Sequence, residues 1–142
     1  MAMGAWDLGA LDNDDAQDFI ADILSSRGDR WRMVELALMA ICDAPDGATT
    51  GSLEESEALA ACEMIAAAAS GSSSDGLDEE LASWVMRTAP KHLHMLSQTA
   101  IRVVGRLAAK SELHDRWSAS GDLSSWLASL ADLRKRLAIS IH

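Results

Sequence analysis

A chain of 142 residues fits one domain, and 49% hydrophobic residues supply enough apolar material for a proper core. Ala, Leu, Ile and Met carry that share, with one Phe, no Tyr and two Pro, a composition that favours helix over strand. The net charge of -10 argues against nucleic acid as a partner, since phosphate contacts need a basic footprint.

Residues 1–12 form an irregular N-terminal segment, too short and glycine-rich for a regular element. Within it Trp6 lies between Gly4 and Gly9, and its large apolar ring is expected to plug the core. Asp12, Asn13 and Asp14 are all suited to cap the helix that follows, and one of them is expected to be partly buried. Ala16, Phe19, Ile20, Ile23 and Leu24 then recur at helical spacing, with Asp14, Asp18 and Asp22 on the opposite face.

A second helix, from about Asp29 to Asp43, is apolar all round and is therefore expected to be central. Ala44-Pro45-Asp46-Gly47 ends it with turn residues. Ser52-Leu53-Glu54-Glu55 reads as a capping box opening a third, alanine-rich helix. Residues 71–77 read as a flexible connection. A short helix capped by Asp75 or Asp78 follows, and then one over about residues 91–109 with Arg102, Arg106 and Lys110 as a basic stripe. Ser111-Glu112-Leu113 and Ser120-Gly121-Asp122 open the last two helices. No segment alternates like a strand. The reading is all-α: a single-domain bundle of six or seven helices spanning 1–142.

Charge divides unevenly. Residues 1–80 hold 18 acidic and 3 basic side chains, a net of -15, whereas residues 81–142 hold 4 and 9, a net of +5. The simpler reading is that the halves neutralise each other on packing; the sharper one is an acidic face that attracts a basic partner protein, for which Asp14, Asp18 and Asp22 are the candidate binding residues.

Asp12, Asp14, Asp15 and Asp18 are the candidate metal ligands, because carboxylates one helical turn apart share a hard cation. The pattern fails as a calcium loop, with Gln17 where glycine is needed and Ile23 where glutamate is needed. His92, His94, His114 and His142 match no metal or catalytic spacing. Cys42 and Cys62 lie in separate apolar stretches and read as reduced core residues. The five tryptophans, Trp6, Trp31, Trp84, Trp117 and Trp126, fall one per segment, as core anchors would. No catalytic residue and no cofactor is expected. No run reaches the roughly 18 apolar residues of a membrane span. The acidic start lacks the basic region and apolar run of a signal peptide, so the expected address is the cytoplasm.

Residues 3–19, M-G-A-W-D-L-G-A-L-D-N-D-D-A-Q-D-F, resemble the opening of the bacterial domain of unknown function 4259 family, G-x-W-G-x-G-x-F-(D/E)-N-D-x-A-x-D-(F/W). Gly4, Trp6, Gly9, Asp12, Asn13, Asp14, Ala16, Asp18 and Phe19 carry the likeness, while Asp7 and Leu11 stand where the family has glycine and phenylalanine. The likeness continues through residues 56–61, 111–113 with Trp117, and Trp126 with residues 130–134. The resemblance implies a helical single domain and carries no activity. The functional expectation is a non-enzymatic interaction module with an acidic N-terminal half, of the inhibitor or immunity type by analogy of size and charge. The alternative is a metal-binding or hydrolytic domain using the Asp12–Asp18 carboxylates.

Overall fold

The computed structural model describes residues 13–45, 48, 50–71 and 77–139. The N-terminal segment with Trp6 and Asp12, most of the 71–77 connection, and His142 lie outside them. Within the described residues there are seven helices and no strand: α1 Asp14–Ser25, α2 Arg30–Cys42, α3 Ser52–Ser70, α4 Glu79–Arg87, α5 Leu93–Ala109, α6 Glu112–Ser120 and α7 Leu123–Ala138. The chain is an all-α, single-domain bundle.

Local chemistry starts most of these helices. The Asn13 side chain accepts from the Ala16 N–H at 2.8 Å, Asp29 from Arg32 N–H at 3.1 Å, and Asp78 from the N–H groups of Glu80 and Leu81. Asn13 and Asp14 are exposed, so neither is the buried tie expected of them. Ser111 does two tasks: its hydroxyl donates to Leu107 O at 2.8 Å and accepts from His114 N–H at 2.9 Å, joining the end of α5 to the start of α6. Gly71 and Gly121 end α3 and α6 with positive φ (75° and 87°), a conformation that costs any side-chain-bearing residue.

The centre of the bundle is α3, not α2. Every residue from Ala58 to Ala67 is buried, and α3 packs against all six other helices. Its alanines explain the geometry: Ala58, Ala60, Ala61, Ala66 and Ala67 are fully enclosed and project little bulk, so neighbours close in on every side. The apolar surface of α2 is only partly used, since Leu36 stays 52% exposed and Met39 36%. The sequence marks α2 as apolar all round and α3 as alanine-rich; small side chains decided which one the others could surround.

The capping box expected at Ser52–Glu55 does not form. Gly51 is the N-cap of α3, with no side-chain cap bond, and Glu55 turns away into the protein, fully buried. There its carboxylate accepts from Thr50 Oγ1 (2.8 Å), Glu112 N–H (3.2 Å) and Leu113 N–H (3.0 Å), so it caps α6 instead. In return Glu112 of α6 accepts from Ser52 N–H at 3.1 Å, at the start of α3. The two helix N-termini cap each other through exchanged glutamates. Asp122, expected to cap α7, is its N-cap residue but makes no side-chain cap bond.

Candidate functional site

On α1, Asp14, Asp18 and Asp22 are exposed and Asp15 is half-buried. The structure brings Asp15 and Asp22 close to α3, where partial burial first, and then the charges of Glu54, Asp22 and Asp15, push the Glu57 carboxyl above its ordinary value. The resulting acidic face thus joins two helices, and Glu54 and Glu57 are members that spacing along α1 alone does not reveal. No cation lies within ion-pair distance of any of these carboxylates among the described residues. Among those residues, too, no group of three or more His, Cys, Asp or Glu side chains is placed to hold a metal ion.

The basic half of the chain is spent differently from the expected stripe. Arg106 is not a solvated charge. It donates to the carbonyls of Ile41 (3.0 Å), Ala44 (2.9 Å), Pro45 (2.7 Å) and Ala48 (3.5 Å), satisfying orphan groups at the end of α2. Arg136 of α7 makes a forked pair with Glu63 of α3 at 2.6 and 3.0 Å, with Asp132 beside it at 3.2 Å. Burial works against the Arg136 charge, but the hydrogen bonds and charges of Glu63 and Asp132 outweigh it and hold the guanidinium above its usual value. Glu63–Arg136 is the one described ion pair that joins the acidic and basic halves.

The tryptophans divide as well. Of the four described tryptophans only Trp126 is buried, at 3% exposure; Trp31, Trp84 and Trp117 are partly covered at the edge of the core. Trp31 and Trp84 lie 5.1 Å apart with their planes tilted by 30°, and the Arg30 guanidinium sits 5.2 Å over Trp84. The Trp31 indole N–H donates to Thr88 O, so the pair ties α2 to the end of α4.

Beside this pair an open groove of about 700 Å³ runs between α2, the turn after α4 and the first turns of α5. Trp31, Leu38, Met39, Pro90, Met95 and Leu96 give it an apolar lining, and the α1 carboxylates take no part in it. Sequence reasoning missed this feature. The residues that line it sit in three segments, and the signal each gives locally is slight: Met39 and Met95 are apolar side chains left exposed on α2 and α5.

Burial pushes the Cys62 thiol well above its usual value, and burial also raises Cys42, only partly countered by Arg102. Both thiols are therefore protonated at neutral pH, the reverse of what a nucleophile needs. His114 rests against Asp115 and the edge of Trp126, and His92 begins α5 without a side-chain cap bond. No helix among the described residues is long and apolar enough to cross a membrane.

No curated protein and no solved structure matches the chain. A family model does, over residues 4–129, from the Gly4–Trp6 opening through the reciprocal Glu55 and Glu112 caps and into α7, so the chain belongs to the family described as Domain of unknown function (DUF4259).

Proposed function

We propose that the protein is a non-enzymatic interaction module whose acidic N-terminal half receives a basic partner protein. The observation that carries this reading is how little the described residues neutralise the acidic face of α1 and α3. Were the two halves evolved mainly to cancel each other, several ion pairs would cross between them; among the described residues one does, and it is largely buried in the core. The exposed aspartates of α1 and the crowded Glu57 are left with uncompensated charge, a field that draws in cations over about 10 Å at moderate salt. Such a surface suits an inhibitor or immunity-type role, in which fast electrostatic capture of a basic protein matters.

The test uses a basic protein co-purified with the full chain. Its affinity falls as salt is raised, and Asp14→Asn, Asp18→Asn and Asp22→Asn together weaken it by about tenfold at low salt. A complex indifferent to salt and to the triple substitution sinks the reading. Melting in calcium, magnesium, manganese and zinc tests the metal-binding alternative built on Asp12, Asp14, Asp15 and Asp18; stabilisation by millimolar metal would replace this proposal with that one.

A further inference from the structure

We propose that the groove between α2 and the start of α5 is a second, separate docking site, which takes an acidic–aliphatic peptide segment of another protein. Aliphatic side chains of the segment lie on the methionines, and its carboxylate lies at Lys91 and His92. Size is the first argument. At about 700 Å³ the groove falls within the roughly 300–1,000 Å³ of ordinary ligand pockets. Its lining is the second. Met95 is 64% exposed and Met39 36%, over a floor in which Leu38 and Leu96 are buried. Flexible thioethers over a fixed base make a surface that adapts to an aliphatic side chain.

Charge selects the occupant. Of the charged residues that line the groove, Asp29 is engaged in capping α2, and Arg32 and Glu35 pair with each other. Lys91 and His92 have no side-chain partner among the described residues. They stand where α5 begins without a capping side chain and without an acidic residue in its first turn. Lys91 is therefore the one cation of the lining without an ion pair among the described residues, and the partial positive charge of the α5 N-terminus adds to it at the same end. A carboxylate next to aliphatic groups complements both features. A second copy of this chain fits less well, because a two-fold contact here would set one concavity against the other and Lys91 against Lys91. A basic segment of the kind drawn to α1 is not drawn here, so the two sites stand or fall independently.

Random peptides displayed and selected on the full chain provide the test. The selected sequences share an acidic residue next to aliphatic ones. They lose about tenfold or more in affinity on Lys91→Glu and on Met95→Glu, both changes at exposed positions, with the melting temperature as the control for folding. Should Met95→Glu fold poorly, Met39→Gln replaces it. Selected peptides that are basic, or that bind all these variants as tightly as the native chain, overturn the proposal. So does light scattering that shows a concentration-dependent dimer abolished by Met95→Glu, since the groove would then belong to a second copy.

Discussion

Glu55 and Glu63 both sit inside the bundle, yet they are satisfied in opposite ways. Glu55 has no cation and relies on two backbone N–H groups and the Thr50 hydroxyl, so Glu55→Ala leaves the start of α6 with buried, unsatisfied donors. We expect a loss of about 2–3 kcal/mol in chemical denaturation. Glu63 depends on Arg136. Arg136→Met should cost about 2 kcal/mol, toward the low side for a buried pair because the guanidinium is itself a quarter exposed. The double change Glu63→Leu with Arg136→Met should recover part of that loss, since it removes the stranded carboxylate as well. A double variant no more stable than Arg136→Met would show that Glu63 is satisfied without its arginine.

Among helices, position in the bundle follows side-chain size more than hydrophobicity. The all-α bundle was legible from the helical spacing of apolar residues in α1, the apolar and alanine-rich runs of α2 and α3, and the absence of alternation, because these are local properties. The central place of α3 was not, because it depends on how closely six other helices approach α3 at once, where Ala60, Ala61, Ala66 and Ala67 are fully buried. Ala61→Leu should therefore cost about 1–3 kcal/mol through overpacking, although leucine is a good helix former and equally apolar. Helix ends tell the same story. Ser52-Leu53-Glu54-Glu55 has the pattern of a local capping box, but a residue 57 positions further on competes for Glu55 and wins, and no window of sequence contains both. Arg106, read as one step of a basic stripe, meets the end of α2 from 65 residues away. Amide exchange in Arg106→Met should speed up over residues 39–45 while α1 stays protected.

At the scale of the molecule, the charge split was plain in the composition, whereas its consequence depended on which charges meet. Mutual neutralisation and an unbalanced acidic face predict opposite responses to salt. In the first case salt screens attractive pairs and lowers the melting temperature; in the second it screens repulsion and raises it. With one ion pair between the halves among the described residues and four carboxylates, Asp15, Asp22, Glu54 and Glu57, gathered across α1 and α3, repulsion should dominate. Raising sodium chloride from about 0.05 to about 0.5 M should therefore raise the melting temperature by roughly 2–4 °C. The pH dependence has a matching sign. The folded-state value of Glu57 is raised above its unfolded value near 4.5, so its contribution to stability is fully present below that value and is lost as pH rises through the raised one. Glu57→Gln should accordingly stabilise the protein at pH 7, by no more than about 0.5 kcal/mol because the group is largely solvated, and should give no gain at pH 4. A variant that gains equally at both values would place the origin of the effect in packing, and would remove like-charge crowding as the feature that distinguishes this face.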